Sequence, residues 1–262
     1  MNQSAQSGRP RYLVGDMYKV DFSIIMPAFN AESTLAESVQ SVLAQSFGSY
    51  ELIIVDDCST DGTRELIASF ASLDRRIRPI FLKENRGVSS ARNAAIRCAE
   101  GRYIAFLDAD DIWLENKLLY QLNTFNQGAD VVYSDYVRFH KDGSEHSVIS
   151  PDGLDFRTML CGNGIGNLTA AYDVSRLGKF YQESIGHEDY LMWLQIFRNN
   201  VNAKRLPLEL ARYRVLSTSV SGNKLKAMSW VWNIYRNKVG LSFVSSCYYF
   251  TRYIFSAIMK RV

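Results

Sequence analysis

Four short apolar runs, at residues 22–26, 52–55, 77–82 and 103–107, are separated by stretches with helical patterning. Between the first two, Leu35, Val39, Val42 and Leu43 recur at i, i+4, i+7 and i+8, and the pattern ends near Phe47 and Gly48. Asp61 stands where a helix N-cap would, ahead of Leu66, Ile67 and Phe70. An alanine-rich stretch from Ser89 to Ala99 stops near Gly101. Apolar runs this short, bounded by turn signals, read as buried strands. Strands that alternate with helices need crossover connections, so the reading is an α/β fold on a Rossmann-like, mostly parallel sheet.

Ligands of such sheets bind beyond the carboxyl ends of the strands. Two of the four runs end in acids: Asp56 and Asp57 after the second, Asp108, Asp110 and Asp111 after the fourth. Adjacent carboxylates repel one another unless a cation or a substrate group compensates them. Mg²⁺ and Mn²⁺ favour oxygen ligands, and Mg²⁺ typically combines one or two carboxylates with substrate phosphates. The alternative for the second cluster is a helix cap with its other acids solvated.

Beyond residues 131–135 the pattern turns irregular. A hairpin is expected around Asp142-Gly143, a helix from about Glu188 to Asn199, and a strand near residues 205–215. The loop 162–167 carries three glycines. It reads as a flexible connection, or as an acceptor-site lid that closes by virtue of them.

No Asp or Glu follows Glu209, whereas nine Lys and Arg do. The net charge of +3 therefore divides into an acidic body and a basic tail. That tail is also aromatic, with Trp230, Trp232, Tyr235, Phe243, Tyr248, Tyr249, Phe250, Tyr253 and Phe255. Residues 239–259 contain Arg252 and several serines, a poor composition for a spanning helix and a better one for an interfacial anchor on an anionic membrane surface. The competing reading is a helix packed back on the body or a dimer contact. An acidic body without a recognition module argues against nucleic-acid binding. Cys58, Cys98, Cys161 and Cys247 are scattered, suiting a reducing compartment, and the first twenty residues lack the apolar core of an export signal. The organisation read from these features is an irregular segment 1–21, one domain over 22–222 and a helical tail over 223–262.

Taken together, Pro27-Ala28-Phe29-Asn30, Asp56-Asp57, Ser59-Thr60-Asp61-Gly62-Thr63, Asn85-Arg86-Gly87, Ala91-Arg92-Asn93 and Asp108-Ala109-Asp110 resemble the opening of a family 2 glycosyltransferase. His187-Glu188-Asp189 with Trp193 resembles that family's later acidic motif, so the likeness spans about residues 22–222. The resemblance implies a GT-A fold, with a nucleotide-binding half followed by an acceptor-binding half. It implies a nucleotide-sugar site at Pro27, Phe29, Asn30, Asp56, Asp57, Asn85, Arg92, Asp108, Ala109 and Asp110. Within that site Asp57 is the acid that meets uracil, and Arg92 lies near base and phosphates. Asp108, Asp110 and Asp111 are the implied ligands of Mn²⁺ or Mg²⁺.

Asp189 is the implied general base, with Glu188 supporting the acceptor, although an acid pair opening a helix is equally a helix-dipole device. Tyr213-Arg214 with Ser217, Ser219 and Ser221 resembles the segment near the diphosphate; Leu216 stands where many relatives carry histidine. The implied activity is inverting hexosyl transfer from a nucleotide sugar, a UDP-hexose, to a polyprenyl-diphosphate-linked saccharide of bacterial O-antigen or capsule. Its place is peripheral, at the cytoplasmic face of the inner membrane. Alternatives are a dTDP-rhamnose donor, a non-catalytic nucleotide-sugar-binding scaffold, and a phosphatase using Asp108 as nucleophile. The phosphatase would place its motif after the first strand rather than the fourth.

Overall fold

A computed structural model describes residues 18–215 and 224–259. Strands β1 (Val20–Ala28), β2 (Tyr50–Asp56), β3 (Ile77–Phe81) and β4 (Gly101–Phe106) are parallel neighbours in the order β3-β2-β1-β4. Helix α1 (Leu35–Leu43) joins β1 to β2, and α2 (Thr63–Leu73) joins β2 to β3. Helix α3 (Val88–Cys98) then carries the chain back past β1 to β4. Crossovers between parallel strands are right-handed. Reversing direction along the sheet therefore places α3 on the face opposite α1 and α2.

Side chains of a strand alternate between faces, and the core divides accordingly. Ile24, Met26, Leu52 and Ile54 pack with Leu35, Val39 and Ile67 on one face. Ile25, Ile53, Val55, Ile104 and Phe106 pack with Ala91, Ala95 and Ile96 on the other. Between β1 and β4 the backbones approach so closely that a Cβ on Gly101 would lie 2.5 Å from the Ser23 amide nitrogen. Only glycine fits there without moving a strand. Asp61 caps α2 from one residue further out than expected: Gly62 holds the cap position, and Asp61 Oδ1 accepts the Thr63 N–H at 3.0 Å.

Past β4 the sheet is mixed. Its remaining strands are β5 (Ile112–Trp113), β6 (Val131–Phe139), β7 (Glu145–Val148), β8 (Ala171–Asp173) and β9 (Ala203–Arg214). Antiparallel β8 bridges β4 to β6, and β9 runs parallel to β6 with β5 on its outer edge. The expected hairpin exists as β6 and β7. Pro207 cannot donate to a ladder. It falls where the register between β6 and β9 slips, from Ser134 opposite Leu206 to Asp135 opposite Glu209.

The intervening helices are α4 (Lys117–Asn126), α5 (Phe156–Leu160), α6 (Val174–Leu177) and α7 (Glu188–Phe197). Lys117 on α4 is fully buried. Its Nζ donates to Gln121 Oε1 at 2.9 Å and lies 4.0 Å above the Trp113 ring centroid. Burial pulls its pKa well below the ordinary lysine value.

The tail is helical over α8 (Lys224–Asn233) and α9 (Phe243–Met259), with a π-helical turn at residues 234–238. Val231, Ile234, Tyr235 and Val239 join the same core cluster as α3 and α7. The first part of the tail is thus integral to the body. Among the described residues no helix is long and apolar enough to cross a membrane. The four cysteines are free thiols.

Candidate active site

Because the chain leaves β1 toward β2 on one side and returns to β4 on the other, loops part above the carboxyl end of β1. A cleft of about 630 Å³ opens there. Its walls include Pro27, Phe29 and Asn30 after β1, Asp57 after β2, Asn85 before α3, and Asp108, Ala109 and Asp110 after β4. Eight sequence-expected positions thereby converge on one space. Asn30 and Cys58 hold left-handed backbone at this rim, with φ of 48° and 63°. Such non-glycine conformations cluster at functional loops. The Asn30 side chain also ties the rim together by accepting the Thr60 N–H at 2.9 Å. A more open depression of about 1010 Å³ lies at the amino ends of the strands, but Arg76 there is paired with Asp74, Arg78 with Glu51, and Lys19 with Glu100.

The paired acids do different work. Asp57 faces the cleft and accepts the Arg86 and Gly87 N–H groups, one on each oxygen, at 2.9 and 2.8 Å. It fixes the loop leading into α3. Asp56 points the other way, fully buried, accepting the Ser59 N–H at 3.1 Å and pairing with Arg64 at 3.2 Å. The structure therefore separates Asp56 from the expected nucleotide-sugar set, because consecutive strand residues face opposite sides of a sheet.

The second cluster is divided as well. Asp110 lines the cleft, and burial together with the neighbouring Asp108 raises its pKa above the ordinary carboxylate value. Asp111 is buried, does not line the cleft, and accepts the Arg214 N–H at 2.9 Å. Burial pushes its pKa far up. Among the described residues no three His, Cys, Asp or Glu side chains gather as a metal cage. Asp110 with Asp108 beside it does fit a site of one or two carboxylates completed by phosphate oxygens. Asp111 does not fit.

Arg92 sits between the cleft and α7. It is buried, donates to Asp108 Oδ1 at 2.6 Å and to Gln182 Oε1 at 3.1 Å, and its Nε has no partner. Burial works against its charge, but Asp108, then Asp189 and Glu188, outweigh that and hold its pKa above the ordinary value. The adjacent Asn93 makes a two-way clip to the backbone of Gln182: its Nδ2 donates to the Gln182 carbonyl at 2.7 Å, and its Oδ1 accepts the Gln182 N–H at 2.8 Å.

This clip anchors the segment that delivers Glu188 and Asp189 at the start of α7. His187 before them is left-handed, with φ of 53°, and stacks edge-on against Trp230 at 5.4 Å. Gly186 makes that approach possible, since a Cβ there would lie 2.2 Å from the Trp230 ring. Asp189 accepts a hydrogen bond from Asn163 Nδ2 at 3.2 Å. Burial raises the Asp189 pKa, opposed chiefly by Arg92. The glycine-rich loop thus reaches Asp189 directly.

Gln182 and Lys141, a cation lining the cleft from the β6–β7 hairpin, carry no sequence signal, and Asn93 stands in the sequence only as part of the Ala91-Arg92-Asn93 motif, without a role. Arg214 carries one, and it clamps the acidic turn by donating from Nε to the Asp110 carbonyl at 2.8 Å and pairing with Glu37. Ser217, Ser219 and Ser221 lie outside the described residues.

A family model described as Glycosyl transferase family 2 matches residues 23–166. A putative teichuronic acid biosynthesis glycosyltransferase of Bacillus subtilis, TuaG, is 36% identical over 244 residues, covering 92% of this chain and 97% of that protein. The chain belongs to glycosyltransferase family 2. A second member is 35% identical over 240 residues, covering 91% of this chain and 94% of that one. It is the Escherichia coli UDP-Glc:alpha-D-GlcNAc-diphosphoundecaprenol beta-1,3-glucosyltransferase WfgD. Among solved structures, S. aureus TarS in complex with UDP superposes with a TM-score of 0.66 at 21% identity, covering 89% of this chain and 70% of that one. A mannosyltransferase from Pyrobaculum calidifontis, solved with GDP-Man and Mn²⁺, gives 0.64 at 18%, covering 86% and 66%. The fold is GT-A, and this glycosyltransferase carries its cleft at the switch point of the sheet.

Proposed function

We propose that the protein transfers a hexose, with inversion, from a UDP-sugar to a saccharide carried on a polyprenyl diphosphate. The observation that carries this reading is the convergence of two acidic sites on one buried cation. Asp108 borders the donor cleft, Asp189 opens α7, and Arg92 is held by the charge of both. The relatives of known name that cover nearly the whole chain include a glucosyltransferase acting on a diphosphoundecaprenol-linked sugar, which supports the acceptor class.

In this reading Asp57 and Asn85 take the base end of the donor, and Asp108 takes the ribose. Asp110, with Asp108, would hold Mn²⁺ or Mg²⁺ against the diphosphate. Such an ion, when bound, neutralises charge on the departing nucleoside diphosphate. Asp189 Oδ accepts the proton of the acceptor hydroxyl as that oxygen attacks the anomeric carbon and the carbon–oxygen bond to the diphosphate breaks. A carboxylate held above its ordinary pKa is a stronger base than a solvated one, provided Arg92 keeps it ionised at neutral pH. One base opposite the leaving group gives a single displacement, so an α-linked donor yields a β-glycoside.

The test is transfer from UDP-glucose to a synthetic N-acetylglucosaminyl diphospholipid, with the new linkage read by NMR and the metal dependence by chelation. A β-linked product formed only with divalent metal is expected. A retained α-linkage, or undiminished turnover in chelator, contradicts the mechanism; absence of transfer from any UDP-hexose contradicts the donor.

A further inference from the structure

Helix α9 has two unlike faces. Its inner face is built from Ser246, which is fully buried, and from Tyr249, Phe250 and Tyr253, which pack against the core. Its outer face repeats at helical spacing: Val244 is 77% exposed, Tyr248 56% and Phe255 63%, with Arg252 exposed among them. Phe243, at 64%, extends the patch at the helix start. Large apolar side chains are left to solvent singly in most proteins; a contiguous row along one helix marks a surface that is covered in use.

Two further observations say what covers it. First, Arg252 stands exposed within the row and no acid occurs beyond Glu209, whereas Lys238 on the preceding turn is paired with Glu183 and Arg236 donates to the Leu241 carbonyl, so the partner the row complements is apolar, with anionic groups to meet Arg252. Over its 17 described residues, with Arg252 among them, α9 does not meet the requirement for a spanning helix. Its composition suits a helix lying in the plane of a membrane interface, where an arginine reaches the head groups along its own stem. Second, the inner face leads to the candidate base. The Tyr253 ring is 6.1 Å from that of Tyr190, next to Asp189, and a Cβ on Gly162 would meet Ser256 Oγ at 3.3 Å. The same helix therefore borders both the glycine-rich loop at Asp189 and the exposed row.

We propose that the outer face of α9, formed by Val244, Tyr248, Arg252 and Phe255, docks in the plane of an anionic lipid bilayer, and that its inner face thereby brings Asp189 within reach of a saccharide anchored in that bilayer. This rests on the proposed lipid-linked acceptor, and the experiment separates the two. The full-length protein is floated with phosphatidylcholine vesicles containing or lacking phosphatidylglycerol, in parallel with turnover of a short-chain, water-soluble diphosphate acceptor. The protein is expected to float with phosphatidylglycerol and to be released by high salt. The double substitution Tyr248→Glu and Phe255→Glu should lower vesicle partitioning by roughly tenfold or more. Arg252→Glu should remove the preference for anionic vesicles.

All three side chains are exposed, so melting temperature and turnover of the soluble acceptor should match those of the unaltered protein. Turnover of a long-chain acceptor embedded in vesicles should fall with partitioning. Undiminished flotation of the double variant overturns the proposal. So does a face covered by a second copy of the chain, seen as a dimer that the substitutions dissociate without any vesicle binding. If flotation behaves as expected but no acceptor is glycosylated, the functional reading fails and the docking surface stands; loss of flotation with soluble-acceptor transfer intact gives the converse. Should the double variant melt early, Tyr248→Ser with Phe255→Ser replaces it, and its unchanged partitioning would equally overturn the proposal.

Discussion

Replacing Arg92 with methionine removes one buried cation while keeping an unbranched apolar stem. Two consequences follow from its contacts. The first is on stability. Removing one partner of a fully buried ion pair costs about 3–5 kcal/mol, but the Asp108 side chain is 36% exposed and water compensates part of its charge. Gln182 Oε1 also loses a donor at 3.1 Å. A loss of about 2 kcal/mol, or a fall in Tm of about 4–8 °C for a chain of this size, is the expected outcome. The second consequence is on pH. Burial already holds the Asp189 carboxyl above its ordinary pKa, and Arg92 is the main opposing influence. Without it the pKa rises further. Since the base works only when ionised, the acid limb of kcat must move to higher pH. Urea unfolding and kcat measured across the pH range give both quantities on one preparation. A variant with normal turnover and an unmoved acid limb would refute the placement of Arg92 between the two acidic sites, whatever its stability.

Gly101→Ala should cost about 1–3 kcal/mol, read by denaturant unfolding, because its Cβ would press on the backbone of β1 at 2.5 Å rather than on a movable side chain. Lys117 predicts a pH dependence of stability. The unfolded chain binds a proton below the ordinary lysine pKa of about 10.4 that the folded chain, whose pKa is well lowered, does not bind. Stability therefore rises with pH in the window between the folded and unfolded pKa, by about 1.4 kcal/mol per pH unit for one proton. Lys117→Met should flatten that slope in chemical unfolding measured at several alkaline pH values, and an unchanged slope would show that Lys117 is charged in the fold.

The four parallel strands were readable because strands buried on both faces cannot alternate with polar residues, and the runs at residues 22–26 and 52–55 do not. Strands β5 and β8, two and three residues long, were not readable; they exist because β9 and β4 offer ladders to pair with. Helix α4 carries a helical signal in Leu118, Leu122 and Phe125, at i, i+4 and i+7. Acids at strand ends located the cleft, yet sequence could not say that Asp57 faces it while Asp56 and Asp111 turn into the protein, since that depends on register. Gln182 had no motif to mark it. Its importance comes from Asn93, 89 residues away, whose amide imitates a strand edge.

Asp189→Asn tests the central claim most directly, because asparagine keeps the shape and the hydrogen-bonding reach to Asn163 but cannot take a proton at neutral pH. General-base assistance is worth about 10²–10⁴-fold. The predicted result is a fall in kcat of that order with donor affinity, measured by titration calorimetry with UDP-glucose and Mn²⁺, close to that of the unaltered protein. A pure helix-end charge predicts instead a stability loss below about 1 kcal/mol with turnover nearly intact, and that outcome would contradict the account and move the base elsewhere, with Glu188 the next residue to replace.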